Sequence, residues 1–147
     1  MLVADYDMEE ELGIQFEIFP SDALERYHLE GKLRVVGHRV LLHYKNRERT
    51  FTREQNKLVT IELELGDIET LTLDKKWWGW RGGTLLLKVK DPRKLEMMSG
   101  SKLGEVVMSI PRESLTDADR FLALMDYKIS EDALEKSRER LQNLGVE

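Results

Sequence analysis

Lys32, Arg34, Arg39, His43 and Lys45 punctuate a stretch whose other positions are mostly apolar. Successive side chains of an extended chain point to opposite faces. Lys32 and Arg34 therefore oppose Leu33 and Val35. Arg39, His43 and Lys45 share a side with Leu41, while Val40, Leu42 and Tyr44 face in. The result is one outward basic face, extended by Arg47, Arg49 and Arg53. Such a face attracts an anionic lipid headgroup, a phosphopeptide or a nucleic-acid backbone. The competing reading is an ordinary solvated strand face, neutralised by Glu62, Glu64 or the acidic N-terminal residues.

All three tryptophans, Trp77, Trp78 and Trp80, fall within four residues, with Lys75, Lys76 and Arg81 beside them. Amphipathic rings next to cations have the composition of an interfacial anchor. The alternative is that the rings fold over one end of the sheet against a C-terminal helix. Arg81 would then stack on one of them, a cation–π contact of about 0.5–2 kcal/mol. Three exposed rings would form an apolar patch of a kind monomers rarely tolerate. If they are exposed, a protein partner or self-association outranks a membrane. No aromatics interleave on the neighbouring strands, which argues against a stacking platform for nucleic-acid bases.

Catalytic chemistry has little to work with. There are three histidines, and no HExxH or closely spaced His/Asp set suggests a metal site. No serine sits in a G-x-S-x-G elbow, no glycine run has phosphate-loop form, and Gly82-Gly83 reads as turn chemistry. The expectation is a non-enzymatic protein with no metal and no cofactor.

The chain has 147 residues, 41% hydrophobic and 35% charged, which suits one domain with a single core. It contains no cysteine, which excludes disulfides and thiolate chemistry and fits a cytoplasmic location. No apolar run reaches the ~18–20 residues of a transmembrane helix. The net charge of −5 hides a strong alternation: residues 1–30 are net −8, 31–57 net +6, 58–74 hold five acids and no bases, and 75–94 are net +6. Blocks of this kind either build a basic face on an acidic protein or pair with each other across a sheet.

The elements that must position these residues are mainly β. Ile14, Phe16 and Ile18 alternate with polar neighbours as a short strand ended by Pro20. Ser21 and Asp22 are expected to cap a turn of helix to about His28, which Gly31 stops. Gly31–Val36 and Arg39–Lys45 read as two strands joined at Gly37-His38, a hairpin signal. Residues 46–56 read as a polar loop. Strands are then expected over Leu58–Leu65, from Ile68 to the tryptophans, over Thr84–Lys90, Arg93–Met98 and Gly104–Ile110. Pro111 ends the β pattern. A helix capped by Thr116 or Ser114 runs to about Tyr127, its apolar stripe being Ala118, Phe121, Leu122 and Met125. Ser130 is expected to cap a second, tail helix to about Leu144, with Ala133, Leu134, Leu141 and Leu144 apolar and Ser137 interrupting the stripe.

Three stretches carry a resemblance. Gly31–Leu42 is similar to a small first hairpin followed by an arginine and an apolar strand. Glu62–Leu71 resembles a strand that delivers an Asp-Ile turn into the next strand. Gly82–Leu87 looks like the strand after a central hairpin. Together they resemble the pleckstrin-homology-like superfold, closest to its GRAM-like and bacterial branches, over roughly residues 31–127. The resemblance implies a bent antiparallel sheet or barrel of about seven strands, capped at one open end by a C-terminal helix. It also implies a binding module that takes a protein partner or self-associates, with anionic membrane lipid as the alternative. The expected organisation is a flexible N-terminus over 1–11, the domain over 12–128, and a helical tail over 129–147.

Overall fold

The computed structural model describes residues 12–20, 24, 27–47, 57–75 and 82–145. Alternating apolar residues produce seven strands: β1 (Gly13–Ile18), β2 (Leu29–Val36), β3 (Arg39–Asn46), β4 (Val59–Glu64), β5 (Ile68–Lys75), β6 (Gly83–Val89) and β7 (Glu105–Ile110). One α-helix, α1 (Leu115–Asn143), follows them. The strands form a single antiparallel sheet in the order β4-β3-β2-β1-β7-β6-β5. The two halves meet between β1 and β7, where the paired positions reduce to one rung, Glu17 opposite Ser109. With so short a shared edge the halves are free to bend toward each other. Both turn their apolar faces onto one core, in which Phe16, Leu33, Leu42, Leu63, Leu85 and Met108 are almost fully buried.

Helix α1 closes one side of that core with Ala118, Phe121 and Met125, each at most 1% exposed. Lys75 at the end of β5 reaches Asp119 across 2.6 Å, and Lys128 Nζ donates to the Gly37 carbonyl at 2.6 Å. The helix is thus tied to opposite ends of the sheet.

The structure corrects four expectations. The sheet does not close into a barrel: β4 and β5 are its outer strands. A 3-10 turn, Leu65–Asp67, carries the chain round the corner between them. There Asp67 accepts the Glu64 N–H at 2.9 Å and buried Leu65 is drawn into the core, so β5 does not fold back onto β4. The strand expected over Arg93–Met98 is a 3-10 turn over Pro92–Leu95 followed by turns. Asp91 caps it by accepting the Arg93 N–H at 3.1 Å, and buried Leu95 and Met98 are spaced by three, a helical period and not the strand period of two. The two expected helices are one. The segment around Ser130 holds neither Gly nor Pro, so the serine is an interior residue of α1 and caps nothing. Finally, β2 begins at Leu29 and Gly31 lies inside it. Of the helix expected before it, residues 21–23, 25 and 26 lie outside the described residues, while Tyr27 and His28 are not helical. The expected flexible N-terminus, residues 1–11, also lies outside them.

Gly31 has a steric reason for its place. A Cβ there would sit 2.0 Å from the His43 carbonyl oxygen and 2.8 Å from Tyr44 Cα. Gly37, by contrast, has φ +60° and open space around it. Replacing Gly31 with Ala forces β2 away from β3 and is expected to cost at least about 1–3 kcal/mol by denaturant unfolding. Gly37→Ala meets only the left-handed backbone penalty, about 1–2 kcal/mol, and is expected to leave the core packing intact.

Candidate functional site

The pairing of β2 with β3 decides which side chains share a surface. Leu33 lies opposite Leu42, Val35 opposite Val40, and Gly31 opposite Tyr44, so these positions face the core. The residues between them face out. Lys32 lies opposite His43 and Gln15, and His43 continues the row to Thr60 on β4. One step along, Glu30 lies opposite Lys45 and Glu17. Lys32 and Lys45 are therefore diagonal neighbours, which in such a ladder stand about 7–8 Å apart, within joint reach of one small anion.

This outer face carries a cleft of about 510 Å³. Lys32, His43 and Lys45 line it together with Gln15 and Glu17 from β1, Glu30, Arg47, and the apolar Leu58 and Pro111. All five cations and titratable residues expected on the first hairpin point outward, but the structure brings only Lys32, His43 and Lys45 into the cleft. Arg34 sits one row away, opposite Gly13 and Leu41. Arg39 is held outside it by Glu62 and Glu64, the latter 3.4 Å from its Nε. Trp77, Trp78, Trp80 and Arg81, like Arg49 and Arg53, lie outside the described residues.

The alternating charge blocks mostly pair with each other across the sheet. Besides Arg39, Lys88 lies 3.4 Å from Glu69 and 3.7 Å from Glu105, and Arg47 Nε reaches Glu30 at 2.6 Å. These are solvent-exposed pairs worth at most about 1 kcal/mol each. Their consequence for the cleft is larger. Glu30 is the direct cross-strand neighbour of Lys45, yet its carboxylate is taken by Arg47. Among the described residues neither Lys45 nor Lys32 makes an ion pair. Glu17, the other carboxylate of the cleft, lies 3.7 Å from His28 Nε2.

His43 sits between the two lysines. Its Nδ1 is 3.0 Å from Thr60 Oγ1, while its Nε2 is screened from solvent and has no hydrogen-bond partner among the described residues. Burial, then the charges of Arg34 and Lys32, hold its pKa below the ordinary value of 6.5. The ring is accordingly neutral near pH 7. The contact with Thr60 occupies Nδ1 and leaves Nε2 as the ring nitrogen without a partner among the described residues. Two ammonium groups and a neutral imidazole thus line one cleft, with Glu30 turned to Arg47 and Glu17 lying 3.7 Å from His28 Nε2. Among the described residues no three His, Cys, Asp or Glu side chains are grouped to bind a metal ion.

The hairpin itself was readable from the spacing of Lys32 to Lys45. What sequence reasoning missed is the contribution of β1. Gln15 and Glu17 alternate with the buried Ile14, Phe16 and Ile18, and that alternation was the available signal for two more outward residues beside the basic strands.

The lowered pKa of His43 sets the sign of a pH effect. The unfolded chain takes up the imidazole proton near pH 6.5, and the folded chain only at lower pH. Below 6.5 the unfolded state thus binds more protons, and stability is lost as pH falls. Between about pH 7.5 and 5.5 the wild-type unfolding midpoint is expected to drop more than that of His43→Gln. The two are compared by thermal denaturation across that range.

No family model, curated protein or solved structure matches the chain, so its functional reading rests on this geometry.

Proposed function

We propose that the chain is a non-enzymatic binding module of pleckstrin-homology-like architecture, and that its outer-face cleft takes the phosphate of an anionic membrane lipid. The architecture is supported by the strand order. Four strands run outward from β1 to β4 and three from β7 to β5, and a helix packs on the core directly after the last strand. The single observation that carries the ligand is the pair Lys32 and Lys45, adjacent on one cleft and without an ion pair among the described residues, while Arg39 and Arg47 are held by carboxylates. Leu58 and Pro111 give the same cleft an apolar wall for the part of the lipid next to its headgroup. A peripheral, cytoplasmic protein is the corresponding reading, and nothing in it requires a span of the bilayer. No described helix is long and apolar enough to cross one.

A second reading, self-association, is favoured by an independent feature, the exposed apolar stripe of α1, and is developed below.

The lipid reading is tested by vesicle co-sedimentation with phosphatidylcholine alone and with added phosphatidic acid, at low and physiological salt. Each cation near an anionic surface contributes about 1 kcal/mol. The double change Lys32→Gln, Lys45→Gln is therefore expected to weaken binding about 30-fold. Arg39→Gln, at a cation already held by two carboxylates, is expected to weaken it far less. Binding that is indifferent to salt, or equally affected by both variants, contradicts the assignment of the cleft.

A further inference from the structure

Helix α1 continues well past the core it helps to close. Its inward face runs through Phe121, Met125 and half-buried Ile129 to Lys136, whose Nζ lies beside Gly66. At 3.6 residues per turn, Tyr127 lies about 200° round the helix from Met125, on the opposite side. That outward side carries an apolar row. Tyr127, Leu134 and Leu141 repeat every seven residues, and Leu144 follows three after Leu141. Their exposures are 63%, 54%, 50% and 75%. A stripe with this period is the seam of a two-helix coiled coil, with Tyr127, Leu134 and Leu141 at one core position and Ser130, Ser137 and Leu144 at the other.

We infer that this stripe is a self-association surface, and that its occupant is the same helix of a second copy running antiparallel. Sequence complementarity selects the partner and the direction. An antiparallel pair centred between Glu135 and Lys136 places Tyr127 against Leu144 of the second copy. Leu134 then meets Ser137, and Leu141 meets Ser130. Every small residue faces a large one, and the arrangement is symmetric. The flanking charges agree, because Glu131 on each helix comes beside Arg138 of the other. A parallel pair does the reverse. It stacks serine on serine in two core layers and sets Asp126 beside Glu131 on both flanks. The overlap of 127–144 spans about 27 Å, and the stripe faces away from the domain that carries it, so two domains sit at opposite ends. Two serines in the core positions keep the contact weak, and the association is concentration-dependent. This inference does not depend on what the cleft binds.

Sedimentation equilibrium of the full chain, from roughly 10 µM to 1 mM, covers the range of such a weak contact. The average mass is expected to rise from one chain toward two. Leu134→Glu with Leu141→Glu, both surface changes, should hold it at one chain with the circular dichroism unchanged. Arg138→Glu should weaken the association, and adding Glu131→Arg should restore it. The absence of cysteine allows the direction to be read with single spin labels at Glu135→Cys or Gln142→Cys. In an antiparallel pair the two labels at 135 lie close together. Those at 142 are separated along the axis by about 18 Å more. Equal distances at both sites overturn the antiparallel pairing. A wild-type chain that stays single at every concentration, or a Leu134/Leu141 variant that still dimerises, overturns the surface itself.

Discussion

The cleft proposed as the binding site depends on the register of β2 against β3. Leu33 against Leu42 and Val35 against Val40 put four apolar side chains into the core within two rungs of the ladder. A slip of one residue would turn one strand over, sending either Lys32 inward with Leu33 and Val35 into water, or His43 inward with Leu42 and Val40 into water. Burying an unpaired ammonium costs several kcal/mol, and exposing a buried Leu or Val costs about 1.5–3 kcal/mol each, so the alternative register has no means of competing. Gly31 adds a local lock, because its missing side chain lets β2 approach the backbone of His43 and Tyr44. The outer cleft is thus a by-product of core packing. The hydrophobic side of the hairpin selects the register, and the register places Lys32 diagonally beside Lys45.

The same sheet explains why the helix is available for a second task. The two half-sheets share one rung, and the space between their apolar faces is filled by a short part of α1, from Ala118 to Met125. The helix beyond Ile129 has no core left to cover. Its continuation is held by the Lys128 bond to the hairpin turn and by the contact of Lys136 beside Gly66, while its outer stripe stays apolar. Isolated helical segments of this length are marginal in water, and packing against another surface is the usual source of their stability. A cleft on one side of the sheet and a projecting helix on another are compatible with a molecule that binds a surface as a pair. Two weak sites on one assembly gain avidity without any new contact.

The fold was legible where one period dominated. Strand alternation marks β1, the β2–β3 hairpin and β4, and the i, i+3, i+7 spacing of Ala118, Phe121 and Met125 marks the buried part of α1. It was illegible where the local signal was permissive. Ser130 is a good cap but equally an interior residue when nothing breaks the helix. Leu95 and Met98 look like strand residues until Asp91 caps a turn in front of them. The open edge between β4 and β5 depends on Asp67 turning the chain, which no hydrophobic period reveals.

The site was legible in part for a different reason. Alternation shows that Lys32, Arg34, Arg39, His43 and Lys45 face outward, but not which of them remain unpaired. That depends on which carboxylates the folded sheet brings alongside. Glu62 and Glu64 come to Arg39 from β4, and Arg47 takes Glu30 from Lys45, and neither competition is visible in linear sequence. The tryptophan cluster at 77–80, the most conspicuous feature of the chain, lies outside the described residues and contributes nothing to the argument for the cleft.

The central claim is that Lys32, His43 and Lys45 form one phosphate-holding unit. It is tested most directly by nuclear magnetic resonance of the His43 ring and the lysine side-chain ends during titration with glycerol 3-phosphate, the soluble headgroup of phosphatidic acid. The account predicts saturable shifts concentrated at these three residues, with the His43 pKa rising as the bound dianion offsets the nearby positive charges. Shifts that are absent, or that centre on Arg39 or Lys88 while His43 stays unchanged, would contradict it.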